Sequence, residues 1–306
     1  MVKRIIILLC VLLFIEAVKS QEDSIHRINR QRLLIVAGGN AALWGTSYIV
    51  LNKTWYAGYA RTKFHFFDDL PEWNQMDKAG HIWTSYHVSR LSAQMWKWTG
   101  FNNNSSAILG GASGLLYQGI IELQDAYSSQ WGFSVSDIGA NVVGSGWYVF
   151  QQIAWKDQRI QIKLSTHPNE YPGSLLYRRN QLFGNTALER ILKDYNSQTY
   201  WASANLKSFF PVSNIPSWLN FAVGYGSEGM YGGRNNIWTD KEGVSYDYNN
   251  IRRVRKFYLA PDIDLTKIRV KSKLLRSVFF VLNMVKIPAP ALELKGGKLN
   301  VKAFKF

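Results

Sequence analysis

Residues 105–125 read SSAILGGASGLLYQGIIELQD, and this stretch decides how the chain is built. It has the length of a helix, yet Gly110, Gly111, Ala112, Ser113 and Gly114 cluster early in it. Small residues let helix backbones approach closely, as in membrane-type or very tight bundles. Gln118, Glu122 and Asp125 are spaced four and three apart, so they share one helix face. Asn102, Asn103 and Asn104 supply a turn and a cap in front of the helix.

Helices of the same character lie on either side. One runs from near Asp77 to about Trp98 and carries Asp77 and His81 four apart, with Ser85 continuing that face. The other runs from about Ser136 to Gln152, with Gly139, Ala140, Gly144, Ser145 and Gly146 recurring and Asp137 and Asn141 four apart. Before them, residues 33–51 form an uncharged run long enough to span a bilayer. Arg27, Arg30 and Arg32 precede that run, which opposes the positive-inside tendency once a signal is removed. The reading favours a hydrophobic helix packed in a bundle or lying on a membrane; a true span is the alternative.

If the three polar faces meet, His81, Glu122, Asp125, Asp137 and Asn141 converge. Ionisable groups buried together must pair, bind a metal or do chemistry. As a catalytic set, His81 is the general base and Asp77 or Glu122 its partner. As a metal set, His81, Glu122, Asp125 and Asp137 hold a divalent ion. The competing readings are structural. Asp77 favours a helix N-terminus through the dipole, Ser134–Asp137 fits a capping box, and His81 serves in a hydrogen-bonded network.

At the N-terminus, Lys3 and Arg4 precede an apolar run from Ile5 to Ile15, and Val18, Lys19 and Ser20 offer a small-residue cut before Gln21. This is the layout of a secretory signal over residues 1–20. The only cysteine, Cys10, lies inside it and its flanks form no clean lipobox, so the sequence leaves lipid anchoring open. The mature chain then has no thiol for a disulfide, a cysteine metal site or a cysteine nucleophile. The formal charge is +15, and fourteen Lys/Arg stand against three Asp/Glu between Arg252 and Phe306. Such a stretch seeks anionic lipid headgroups, lipid A phosphates or acidic glycans, or else is a solvated basic surface. Export makes nucleic acid the least expected partner.

The second half reads as strands. Ile160, Ile162 and Leu164 alternate with polar residues, 219–231 alternate large apolar residues with glycine, and Phe257, Leu259, Pro261, Ile263 and Leu265 alternate again. Leu299–Phe306 also reads extended. A helical piece covers Thr186–Tyr195. Asp194, Asn196, Gln198, Tyr200 and Trp201 combine a carboxylate, amides and aromatics, a mixture suited to sugar rings, or to a buried aromatic corner. Near 271–286, Lys271, Lys273, Arg276 and Lys286 flank an apolar core from Val278 to Val285, as in a helix lying in a membrane interface or a buried helix with basic ends.

The expected fold class is α+β: an N-terminal hydrophobic helical bundle over 21–156, a connecting segment over 157–198 with one strand and one helix, and a basic, aromatic, antiparallel β-rich region over 199–306 with partial-barrel character. The expected role is that of a membrane-associated protein of the periplasm and outer membrane, structural or lipid/glycan-binding. The alternative is an envelope lipid or glycan hydrolase or transferase using the His81 site, with inner-membrane residence as a further reading.

The order Asp77-Lys78-x-x-His81, Glu122-x-x-Asp125, Ser134-x-Ser136-Asp137-x-x-x-Asn141-x-x-Gly144 resembles the family called domain of unknown function 2279, described as predicted periplasmic (lipo)proteins. It is similar, more weakly, to the VanZ-like membrane family. Lys193–Trp201 and Val223–Met230 resemble stretches of long members from Bacteroidota-type bacteria. The resemblance implies an envelope location and no particular chemistry.

Overall fold

The computed structural model describes residues 28–305 apart from 55, 57, 58 and 241. The signal segment and Phe306 lie outside the described residues. The chain divides into two compact units, residues up to 69 with 81–158, and residues 70–80 with 159–306. It is a mixed α+β protein with an N-terminal helical region and a six-stranded antiparallel sheet.

The first unit holds α1 (Arg30–Thr54), α3 (Asn103–Asp125), α4 (Val135–Ala154) and all but the first turn of α2 (Met76–Trp98). Its helices are cut to fit by small residues. A Cβ placed on Gly144 would strike the Ile82 carbonyl and Ser85 Oγ, and one on Gly114 would strike Ser89 Oγ. Where the backbones come this close, serines hold them together: Ser89 donates to the Ser85 carbonyl at 2.7 Å, and its Oγ lies within hydrogen-bond distance of Ser145 Oγ at 3.0 Å. Asn102 caps α3 by accepting from Ser105 N–H, and Ser134 caps α4 by accepting from Asp137 N–H. Val36, Trp96, Phe101 and Leu109 form a small apolar core beside α1.

The distribution of side chains in this unit is inverted. Ser85, Ser89, Ser113, Gln118, Glu122, Asn141 and Ser145 are buried, whereas Leu34, Ile35, Leu43, Val142, Val143 and Phe150 are exposed. α1 is long and apolar enough to cross a membrane.

The second unit is built on a sheet of β1 (Ile160–Thr166), β2 (Gln198–Asn205), β3 (Leu219–Glu228), β6 (Val254–Ile263), β7 (Ala289–Lys295) and β8 (Lys298–Lys305), adjacent in that order and antiparallel throughout. A separate hairpin pairs β4 (Ile237–Thr239) with β5 (Ser245–Asp247). Short helices α5 (Leu176–Phe183), α6 (Ala187–Lys193) and α7 (Leu206–Phe209) fill the connections. A capping box between Thr186 and Glu189 starts α6, inside the span predicted helical from sequence. Residues 157–198, expected as a connector, supply β1, whose partner is the β2 backbone from Gln198 to Ala204.

The sheet repeats the inversion. Along β6, Lys256, Tyr258, Ala260 and Asp262 are buried while Phe257, Leu259 and Pro261 are exposed. On β3, Asn220, Ala222, Gly224 and Gly226 are buried while Phe221 and Val223 are exposed. The register aligns Phe221, Val223, Leu259, Phe257, Leu294, Leu292, Leu299 and Val301 across four strands on one face. β1 fits the same scheme, with Gln161, Lys163 and Ser165 buried. Its free edge is partly covered, because Leu164 N–H donates to the Met284 carbonyl and Lys286 N–H to the Leu164 carbonyl.

The interfacial stretch expected near 271–286 is α8 (Lys273–Leu282), capped by Ser272. Leu274, Leu275, Val278, Val281 and Leu282 are exposed on it. Lys286 corrects the reading at its end. It is buried, with its ammonium 4.6 Å from the centre of the Trp201 ring, rather than at a surface.

In the second unit, residues 70–80 are tied down by Trp73 N–H to the Gly233 carbonyl, Asn74 to Ser227 Oγ, and Tyr225 OH to the Asn74 carbonyl. These bonds hold Trp73, Asn74 and Gln75 at φ of 48°, 50° and 61°, a left-handed conformation that L residues with large side chains adopt only under constraint.

Candidate functional site

Helix periodicity places four residues of the first unit around His81. From α3 come Gln118 and Glu122, one turn apart; from α4 come Asp137 and Asn141, again one turn apart. The close approach at Gly114 and Gly144 is what lets short polar side chains on three helices meet.

His81 Nδ1 lies 3.1 Å from Asn141 Oδ1, 3.2 Å from Gln118 Nε2 and 3.7 Å from Glu122 Oε1. Its Nε2 lies 3.5 Å from Asp137 Oδ1. Gln118 Nε2 also donates to Asn141 Oδ1 at 3.0 Å. The imidazole thus stands between two carboxylates brought by two different helices. Glu122 is almost wholly buried, whereas the His81 ring is 16 % exposed. Two buried polar atoms, Gln118 Oε1 and Asn141 Nδ2, make no hydrogen bond among the described residues. Such atoms are rare in folded proteins and mark places where a water, an ion or a ligand belongs.

The two imidazole tautomers give the site different chemistry. With the proton on Nε2, the ring donates toward Asp137 and accepts from Gln118. With the proton on Nδ1, it donates to Asn141 and turns the Nε2 lone pair toward the Asp137 carboxylate. A lone pair and a carboxylate oxygen 3.5 Å apart suit a cation between them. With ligand distances of about 2.1 Å, that separation corresponds to an angle near 110°, close to tetrahedral. Asp77 stands one turn before His81 on the same helix. In the second unit Asp77 accepts from Tyr195 OH at 2.7 Å and pairs with Lys78 at 3.0 Å.

The residues expected from sequence are distributed as follows. His81, Glu122, Asp137 and Asn141 come together. Asp125 does not join them: its carboxylate accepts from Tyr56 OH at 2.7 Å. The Tyr56 phenol is correspondingly raised far above its usual range, by burial first and by Asp125 next. Asp125 is the last residue of α3, on the same face but nearly a turn beyond Glu122 toward the helix end. Asp137 also fulfils the capping geometry, since its N–H is bound by Ser134 Oγ at 3.0 Å while its carboxylate faces His81. Gln118 joins the cluster as well, and its four-residue spacing from Glu122 is the signal that places it.

The stretch expected to bind sugars is turned inward. Asp194, Asn196, Gln198, Tyr200 and Trp201 are each at most 8 % exposed, too little for a sugar to stack on either ring. Tyr171 OH donates to Asp194 at 2.7 Å, and Asn196 bridges both backbone groups of Met230. Gln198 accepts from Tyr200 OH, and Trp201 Nε1–H donates to Ser165 Oγ. These polar groups are engaged within the second unit. A separate cleft of about 290 Å³ opens on the first unit between Tyr48, Tyr56, Arg61, Leu123 and Tyr127, and His81 does not line it.

No curated protein and no solved structure matches the chain. The similarity to the VanZ-like family expected from the same helices is not shown. Residues 66–152, which hold His81, Gln118, Glu122, Asp137 and Asn141, match the family model described as "Predicted periplasmic lipoprotein (DUF2279)", a description that agrees with a cell-envelope, periplasmic location.

Proposed function

We propose that this is a membrane-associated cell-envelope protein with a lipid-binding role, in which the apolar face of the six-stranded sheet lies against lipid. The observation that carries the reading is the reversed alternation of the strands. Lys163, Lys256, Asp262 and Glu293 are buried on one face, while Phe221, Val223, Phe257, Leu259, Leu292, Leu294, Leu299 and Val301 are exposed on the other. Soluble proteins rarely leave so continuous an apolar surface open to water. Exposed Lys271, Lys273 and Arg276 around α8 provide cations for anionic headgroups. The exposed apolar side chains of α1 support the same reading independently. Flotation of the mature protein with vesicles containing phosphatidylglycerol tests it. Co-flotation at physiological salt is expected; a protein that stays wholly in the soluble fraction sinks the proposal.

A second reading is favoured by one specific arrangement, the convergence of His81, Glu122 and Asp137. It is an envelope lipid or glycan hydrolase or transferase with His81 as base or metal ligand. Metal content and thermal stability of wild type beside His81→Ala test it. A stoichiometric ion lost in the variant supports the reading. An ion-free wild type whose stability collapses on substitution makes the cluster a structural network.

A further inference from the structure

We propose that the buried polar face of the sheet in the second unit is a binding site for a phosphate group, held by Lys256, Lys286 and Lys305. Nothing in the proposed membrane role requires this site, and its cations face away from the apolar surface that role uses.

The site is built from the strand register. Trp201 on β2 and Tyr258 on β6 both lie opposite Gly224 on β3. A Cβ on Gly224 would strike the Trp201 ring, so its absence lets the two rings meet at 5.6 Å. Lys286 Nζ sits 4.6 Å from the Trp201 ring centre and Lys305 Nζ 5.0 Å from that of Tyr258. Two ammoniums therefore flank one aromatic floor. Lys256 precedes Tyr258 by two residues and so shares its face. His167, just after β1, feels the charges of both Lys305 and Lys256. β1 and β8 are opposite edges of the sheet, yet the residue just after β1 senses a lysine of β8.

The carboxylates nearby are already committed. Asp262 pairs with Lys163 at 2.8 Å, Glu228 with Lys256 and Lys295, and Glu293 with Tyr258 OH at 2.8 Å and Lys302 at 3.4 Å. Asp264 is engaged by Gln161, Thr266 and Asn283. Six lysines thus face four acids. The buried Lys286 ammonium has three protons to donate and gives one to the Ile287 carbonyl. Lys305 makes no ion pair among the described residues. Crowding shows in the electrostatics: burial and then Lys256 pull Lys305 down to about 8, with Lys302 and Lys286 adding to it against Glu293. Burial lowers Lys286 and Lys256 as well. Buried like charges are relieved by a bound counter-ion, and a phosphate oxygen can accept from several ammoniums at once.

The phosphate can be a free ion or a lipid headgroup, and two titrations on the full mature chain separate them. Inorganic phosphate is titrated calorimetrically without lipid, and vesicles of phosphatidic acid in phosphatidylcholine are compared with phosphatidylcholine alone. Each is run on wild type, Lys286→Gln, Lys305→Gln and the exposed control Lys298→Gln, with folding checked by circular dichroism. Saturable binding of inorganic phosphate, weakened at least tenfold in Lys286→Gln or Lys305→Gln but not in Lys298→Gln, establishes the site for the free ion. Preference for phosphatidic acid with the same mutational pattern, and no response to the free ion, assigns it to a headgroup. Lys305→Gln, on the edge strand, keeps the test valid if Lys286→Gln fails to fold. No binding to either probe, or binding unchanged in both variants, overturns the proposal. Flotation on phosphatidylcholine alone reports the membrane reading separately.

Discussion

Gly144→Ala is the sharpest probe of how the helical unit is assembled. A methyl group at this position meets the Ile82 carbonyl and Ser85 Oγ of α2 at distances no real Cβ tolerates. The serine rotamer can turn away, but the carbonyl belongs to a helix backbone and cannot. Overpacking against a helix backbone falls in the upper part of the usual range, about 2–3 kcal/mol, and about 1 kcal/mol of it is offset because alanine favours a helix over glycine. The net expectation is a loss of about 1–2 kcal/mol. Gly139 and Gly146 lie on the same helix with nothing within 4 Å of an added Cβ. Alanine there is expected to add up to about 1 kcal/mol by propensity alone. Urea unfolding followed by tryptophan fluorescence reads the contrast. With a slope of about 2 kcal/mol per molar, Gly144→Ala shifts the midpoint down by roughly 0.5–1 M while the two controls shift it up. The same displacement of α4 carries Asp137 and Asn141 away from His81, so any ion the site holds is bound more weakly in Gly144→Ala. If Gly144→Ala proves as stable as Gly146→Ala, the close-packing account of this unit is refuted.

The Lys163–Asp262 pair is fully buried at 2.8 Å. Lys163→Met is expected to cost about 3–5 kcal/mol by chemical denaturation, and adding Asp262→Leu to recover most of it, because the single change strands a buried charge. Lys305 titrates near 8 in the folded chain, below the ordinary lysine value. The unfolded chain then binds more protons between about pH 8 and 10.4, so stability contributed at this position rises with pH across that window. Lys305→Gln is expected to flatten the rise in a pH series of melting temperatures. Glu228 is the opposite case: burial raises its carboxyl, but Lys295 and Lys256 outweigh that and hold it below its usual range. Its contribution is present above the ordinary glutamate value and lost as pH falls through the lower folded one, and Glu228→Gln removes that acid-side loss. On the outer face of the sheet, Phe257→Ser with Leu259→Ser is expected to weaken vesicle flotation severalfold while leaving soluble folding intact, since both side chains face outward.

Much of this architecture is legible in the residue spacing, and the limits of that legibility are physical. Four-residue spacings put Asp137 with Asn141 and Gln118 with Glu122 on shared faces, and clustered glycines marked helices that pack at close range. Both follow from helix geometry alone, so the local sequence suffices. Asp125 was beyond such reasoning, because its direction depends on Tyr56, 69 residues away. The run Asp194–Trp201 looked like a binding surface because composition carries no information on burial. Its engagement with Tyr171, Met230 and Ser165 depends on neighbours brought together by the fold.

By itself the sequence determined that β3 and β6 are strands, since alternation with period two can be nothing else. It did not determine which face is covered. A period-two pattern looks the same when its faces are exchanged, and ordinary experience with soluble proteins puts Phe221 and Phe257 inside. Only the tertiary structure decided that Lys163, Asp262, Lys256 and Glu293 occupy the inner face, because it alone pairs each buried charge with a partner from another strand.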